Sequence, residues 1–350
     1  MTADSQRGVA LLTILLLVVS ITVVAGAMLA SQKIAIRRSG LLFNQDQLLQ
    51  DIDAGQQLAM TMIRADNKLN DTDSAQDIWA QPLPPYTLGS HTITVELRDE
   101  ASRFNINNLY HNGATDSAAL TVFQRLLSQL NLEPDIAIAV LDWQDTDNET
   151  YKDGGDEGVV YARQAGNLAD KTLPNQPFAS VEQLQAVRGV SAEVLATLRP
   201  YITAVPYYLP INVNTASPVV LAALVEGATA EQMQALTDLR AQQTVGSIDN
   251  LWQLPQLSVL STEQRQAIEP LLAVDSQAFM ALIIATDSAN IGEARQRYAT
   301  VLISKADVNN NSGNANNNPN PNSNNDDNSM GSPKVIKVVS QRLWAFRPSF

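Results

Sequence analysis

Residues 7–30 read RGVALLTILLLVVSITVVAGAMLA, and the use of this run decides how the rest of the chain can be organised. No side chain from Val9 to Ala30 is charged. About 22 residues at about 1.5 Å per residue give a helix of roughly 33 Å, close to the hydrocarbon thickness of a bilayer. A secretory signal has an apolar region of only about 7–15 residues. Ala25-Gly26-Ala27 has the small-residue pattern of a cleavage site, yet the apolar run is too long for a signal and does not end there. Ile34 and Ile36 continue it, and Leu41, Leu42, Leu48, Leu49, Ile52, Leu58, Met62 and Ile63 then recur at helical spacing. The expectation is one long helix, in a membrane at its start and packed on a protein body towards its end. Lys33, Arg37 and Arg38 on the far side of the run prevent an assignment of orientation from charge alone.

The chain has 350 residues, enough for one large domain or two ordinary ones, and 45% of them are hydrophobic, as in a folded body. Its net charge of -13 would be repelled by phosphate backbones, which counts against a nucleic-acid partner. No cysteine is present, so disulfides, thiolate metal sites and thiol nucleophiles are excluded.

The leader MTADSQRG (1–8) is short, polar and ends in glycine directly before the apolar helix. This arrangement resembles type IV pilins and type II secretion pseudopilins. The resemblance implies that a prepilin peptidase cuts after Gly8, that the new N-terminus at Val9 is methylated, and that 9–36 is a transmembrane and assembly helix. Members normally carry Glu at the fifth mature position, where it neutralises a neighbour's amino terminus in a low-dielectric filament core. That position here is Thr13. Within type II secretion, lack of this Glu is a mark of the K-type minor pseudopilins.

After the Pro-rich break QPLPPY (81–86), the stretch HTITVELRD (91–99) alternates polar and apolar residues as a half-buried strand does, and RFNINN (103–108) repeats the pattern at Phe104 and Ile106. From about Asp116 to Ala273 the spacing is helical. Ser180 with Gln183, Thr229 with Gln232, and Ser261 with Gln264 are capping-box pairs. They mark internally similar, helix-hairpin-helix-like units. Such units can grip DNA backbones, but Arg188 alone, Glu226 and the base-free LPQLS (254–258) offer no basic stripe. AFMALIIATD, ARQRYATVLISKAD and PKVIKVVSQRLWAF read as three returning strands, with Trp344 and Phe346 expected as anchors against the N-terminal helix. The Asn-rich tract between the last two strands cannot bury apolar area and is expected to be disordered.

The strongest chemical signal is LDWQDTDNETYKDGGDEGVVY (141–161), in which Lys152 is the only base. Carboxylates this dense repel one another, so the loop is either fully solvated or neutralised by a cation. Oxygen ligands in this number suit calcium, which takes six to eight. Counting from Asp145, Thr150 stands where an EF-hand needs Gly, so this is not that loop. The K-type resemblance favours the cation. Asp142-Trp143-Gln144-Asp145-Thr146-Asp147 matches that family's Asp-Trp-x-Asp-x-Asp, followed by a looser match at Gly155, Glu157 and Tyr161. It implies structural calcium held by Asp142, Asp145, Asp147, Asp153, Asp156 and Glu157. Gly158 departs from a usually acidic position, so the number of ions is not implied. No catalytic constellation is read: the acids lack a positioned base, and His91 and His111 are expected as ordinary surface residues.

The resulting expectation is an α+β chain, pilin-like, with a long N-terminal helix, an antiparallel sheet and a large inserted all-α domain. Its parts are a leader at 1–8, the membrane and assembly helix at 9–36, a first body segment at 37–110, the insertion at 111–275 and returning strands at 276–350, with a disordered loop at 307–332. The resemblance implies a non-enzymatic minor pseudopilin at the tip of the type II secretion pseudopilus, initiating assembly and supporting export of folded proteins across the outer membrane. Its partners would be other minor pseudopilins, the pseudopilus, prepilin peptidase, the inner membrane and secreted substrate proteins, not nucleic acid. It would cross the bacterial inner membrane once, with its folded domain in the periplasm. The alternative reading is an exported or membrane-anchored helix-hairpin-helix protein that binds DNA in uptake machinery.

Overall fold

A 64-residue helix, α1 (Ala3–Asp66), joins the apolar run to its amphipathic continuation without a break. The computed structural model describes residues 3–152, 157, 174–255, 257–258, 260–288, 295–307 and 334–350, with residues 3–10 and 307 described in backbone only. Every residue from Leu11 to Phe43 is exposed, and this part of α1 is long and apolar enough to cross a membrane. The packed stripe starts at Leu48 and recurs at Ile52, Gly55, Ala59, Met62, Ile63 and Asp66. Leu41 and Leu42 precede that stripe and Leu58 lies off it, so all three are exposed where burial was expected.

The stripe lies on a five-stranded antiparallel sheet of β1 (Tyr86–Leu88), β2 (His91–Asp99), β3 (Ala278–Asp287), β4 (Arg295–Asp307) and β5 (Lys334–Trp344), in spatial order β1-β2-β3-β4-β5. One face presents Ile93, Val95, Ala281, Ile283, Ala285, Ala299, Val301 and Ile303 to α1. That is the period-two alternation expected of strands covered on one side. Trp79 closes the end of this core edge-on to Phe279, with ring centroids 5.0 Å apart. β2 and β3 are adjacent, and Asp99 pairs with Phe279. The chain therefore leaves the sheet and re-enters it at neighbouring register positions, the geometry that lets a whole domain be inserted without disturbing the strands.

The inserted part divides into two stretches of similar layout. The first runs through α2 (Ser117–Gln129), α3 (Ile136–Asp142), a 3-10 turn (Val181–Ala186) and α4 (Ala192–Leu198). The second runs through α5 (Pro218–Leu224), α6 (Ala230–Arg240), α7 (Ile248–Leu251) and α8 (Thr262–Ile268). Each opens on a short parallel pairing, Phe104–Asn105 with Ile202–Thr203 and Ile211–Asn212 with Leu272–Ala273. Each is braced by an asparagine. Asn107 Oδ1 accepts from Phe178 N at 2.8 Å while its Nδ2 donates to Phe178 O and Val205 O. Asn214 repeats this with Val245 N, Val245 O and Val274 O. Buried backbone groups at the turn are thereby paired without a sheet.

Several details differ from the sequence reading. RFNINN adds no strand to the sheet; Phe104, Ile106 and Leu109 enter the helical domain's core, ahead of the boundary expected at 111. The capping boxes form at Thr229/Gln232 and Ser261/Gln264 but not at Ser180/Gln183, where Gln183 N donates to the Ser180 carbonyl rather than its side chain and Gln183 Oε1 accepts from Ala179 N. β5 meets α1 through Ile336, not through Trp344 and Phe346. Trp344 Nε1 donates to Thr300 Oγ1, and Phe346 is 83% exposed. The histidines are paired: His91 Nδ1 lies 2.7 Å from Asp51 Oδ2, and His111 Nε2 lies 3.3 Å from Asp116 Oδ2. All but the first residue of the Asn-rich tract expected at 307–332 lies outside the described residues.

Candidate metal centre

Helix α3 is apolar on every side, with Ile136 to Leu141 all buried in the helical core. Its last residue, Asp142, is therefore carried into the interior and is fully buried. The following turn is fixed by two side chains. The Trp143 ring stacks on Phe178 at 6.0 Å, and Phe178 is itself held by the Asn107 brace. Gln144 Nε2 donates to Ile106 O at 3.1 Å. In the second unit Arg240 serves the equivalent carbonyl, its Nη1 donating to Val213 O. There four residues (241–244) separate α6 from Val245, whereas 35 residues (143–177) separate α3 from Phe178, the residue held by the matching asparagine.

The acids begin at the end of α3 and continue into that longer stretch. One carboxylate oxygen from each of Asp142, Asp145 and Glu157 lies within 4.8 Å of the others, and all three residues are buried. Asp145 Oδ1 is buried without a hydrogen bond. Burial, and then the neighbouring charges of Asp147 and Asp142, push the Asp145 carboxyl up to about 7. Three buried carboxylates at this separation repel one another unless protons or positive charge compensate them. Their hard oxygens and the missing bond at Asp145 fit calcium in kind.

The other expected ligands are placed differently. Asp147 is exposed, and its Oδ1 accepts from Glu149 N at 2.8 Å. Asp153 and Asp156 lie outside the described residues. Lys152 pairs with Asp135 at the start of α3, 2.9 Å away. Gln144 and the Asn107 brace, which hold the turn, were not anticipated; the recurrence of Asn-x-Asn at 105–107 and 212–214 is the signal that finds the brace. Gly8 and Val9 lie in the first turns of α1, and Thr13 is exposed on the same helix.

Among the described residues of the helical domain, several basic side chains are turned inward or paired, unlike a phosphate-binding stripe. Arg240 serves the Val213 and Ala216 carbonyls, Arg125 reaches Leu224 O and Glu226, Arg199 pairs with Glu182, and Arg103 Nη1 donates to Arg199 O.

Comparison with known proteins gives a consistent result. Two family models, both described as type II secretion system (T2SS), protein K, match residues 102–207 and 211–275, the two units of the helical domain. The type II secretion system protein K of Klebsiella pneumoniae is 30% identical over 312 residues, 85% of this chain and 92% of that protein. Its Pseudomonas aeruginosa counterpart is 30% identical over 256 residues, covering 70% and 75%. A chain from the crystal structure of the GspK-GspI-GspJ complex of the enterotoxigenic Escherichia coli type 2 secretion system superposes with a TM-score of 0.67 at 19% identity, covering 88% of this chain and 99% of that one.

Proposed function

The chain belongs to the type II secretion system protein K family, and on that premise we propose how this minor pseudopilin works. A prepilin peptidase removes residues 1–8, Val9 becomes the methylated N-terminus, and α1 over roughly 9–36 is held in the bacterial inner membrane with the folded body in the periplasm. The observation that carries this reading is the division of α1 itself. It is bare from Leu11 to Phe43 and clamped to the sheet from Leu48 onward, as a subunit needs that is first a lipid anchor and then a filament helix. The complex with GspI and GspJ formed by its structural relative supports the corresponding minor pseudopilins as its partners here. The inserted helical domain is bulkier than the sheet that bears it, which favours the tip over repeated stacking in a shaft. Thr13 in place of Glu fits that position, since a first subunit has none ahead of it to neutralise. From the tip the protein would initiate assembly and support export of folded proteins, secreted substrates being further contacts. The inward-turned arginines and the net charge of -13 weigh against the DNA-binding alternative.

The intact mass of the chain recovered from a host carrying the peptidase should correspond to a methylated product starting at Val9. A product retaining residues 1–8, or one cut after Ala27, would sink the proposal. Thr13→Glu should leave this processing unchanged, and secretion by a strain carrying it reports whether the missing charge matters.

Calcium held by Asp142, Asp145 and Glu157, with Asp147, Asp153 and Asp156 the remaining acids of the expected ligand set, would tie the chain beyond Asp142 to the end of α3. Binding to the folded state alone stabilises by about 2.7 kcal/mol at a hundredfold excess over Kd. For a body of this size that raises Tm by about 5–10 °C. Thermal melts of the chelated full chain in detergent, with and without calcium, test this, and Asp145→Asn should remove most of the shift. An Asp145→Asn chain that responds to calcium as fully as the wild type would overturn the assignment.

A further inference from the structure

We propose that Asp66, Asp73 and Asp77 form a second site for a hard divalent cation, of calcium's ligand chemistry, where α1 ends and the helical domain meets the sheet. One oxygen from each of the three lies within 4.8 Å of the other two. Asp66 is 2% exposed and Asp73 1% exposed. Asp66 Oδ2 and Asp73 Oδ1 are both buried without a hydrogen bond. Buried carboxylate oxygens are nearly always partnered, so two orphans at one place ask for something between them.

The surrounding bonds leave these oxygens for a cation. Asp73 Oδ2 is taken by the Lys305 ammonium and by Ser276 N. Asp77 Oδ1 accepts from Asn70 Nδ2 at 3.2 Å and Asp77 Oδ2 from Ser74 N at 2.6 Å, each oxygen keeping a further lone pair. Lys305 offsets one of the three negative charges and none of the others. Asp66 is also the last residue of α1, where the helix dipole repels a carboxylate and attracts a cation. Three carboxylates completed by water suit calcium, whose coordination is flexible and oxygen-only.

The location gives the ion a task. Asp73 N donates to Val274 O, and Asp73 O accepts from Asn212 Nδ2, so the same residue touches the seam between sheet and helical domain. A cation here would tie the end of the assembly helix to that seam and fix the angle at which the helical domain is carried. The site shares no residue with Asp142, Asp145 and Glu157 and stands or falls separately.

The test is calcium stoichiometry of the chelated full chain in detergent, by equilibrium dialysis, for the wild type, Asp66→Asn/Asp77→Asn and Asp145→Asn. The expected result is one ion fewer per chain in the double variant, with that same ion retained in Asp145→Asn. Equal stoichiometry in the wild type and the double variant would overturn the proposal, because a shared proton would then be the partner of the orphan oxygens. Circular dichroism establishes that the variant folds. If it does not, terbium is soaked into wild-type crystals: an anomalous peak on the Asp66 carboxylate supports the site, and no peak there refutes it.

Discussion

Replacing Lys305 with methionine should lower the stability of the folded body by about 3–5 kcal/mol, the cost of leaving one member of a buried ion pair without the other. Lys305 sits on β4 at 2% exposure, its ammonium on Asp73 Oδ2 and 5.7 Å from the centroid of the Phe279 ring. Burial raises the Asp73 carboxyl, and the lysine is the largest influence lowering it. Around this pair, Ser276 Oγ and Thr215 Oγ1 both donate to Asp99 Oδ2, and Asn212 Nδ2 donates to Ser276 Oγ. The network joins the end of β2, the loop after α1, the return to β3 and the second helical unit. Without Lys305, Asp73 must take up a proton or draw water into this seam. In chelator, so that no cation substitutes for the lost ammonium, Tm should fall by about 6–20 °C. Lys305→Met/Asp73→Asn should recover most of that, since the amide that replaces the carboxylate carries no charge and can still accept from Ser276 N. A Lys305→Met chain melting within about 2 °C of the wild type would show that the pair does not hold the seam.

The parts of this fold that were legible in the sequence are those governed by local periodicity. The uncharged run from Val9, the alternation in HTITVELRD and the three returning strands each declare their structure within about ten residues, and each is found. The Asp142 and Asp145 signal was legible because density of like charge is visible without a structure. What stayed hidden depends on pairing across distance. RFNINN alternates like a strand, yet its asparagines bond Phe178, Val205, Tyr207 and Leu209, residues about 70 to 100 positions away. Lys305 and Asp73 are 232 positions apart, and nothing local marks either as buried. Nothing local to Asp66 or Asp77 marks the end of α1 as lying in the core, where Asp66 is buried. Even the likeness of the two helical units is carried less by residue identity than by the bonds made by Asn107 and Asn214.

Gly55→Ala should destabilise the protein, although the same exchange at Gly40, on the bare part of α1, should not. In a helix, alanine is favoured over glycine by about 0.8–1.0 kcal/mol. At Gly55 a Cβ would lie 2.5 Å from Ile283 Cγ2, 3.1 Å from Ile93 Cγ2 and 3.4 Å from Val95 Cγ2. These are branched side chains on the two strands beneath α1, and Ile283 is fully buried, so none can swing aside. Overpacking a filled core costs about 1–3 kcal/mol, which outweighs the helix gain, and Gly55→Leu should exceed the upper figure. Gly40, on the exposed part of α1, has nothing within 4 Å of its Cβ position. Gly40→Ala should therefore be neutral or slightly stabilising. Thermal melts of the three variants decide the matter: a Gly55→Ala chain as stable as Gly40→Ala would show that α1 can ride higher on the sheet without loss. The consequence reaches assembly, because the same helix is bare at its start and seated at its end. Lifting it at Gly55 tilts the anchor relative to the body, and secretion by Gly55→Leu should fail even at temperatures where the chain still accumulates, whereas Gly40→Ala should secrete normally.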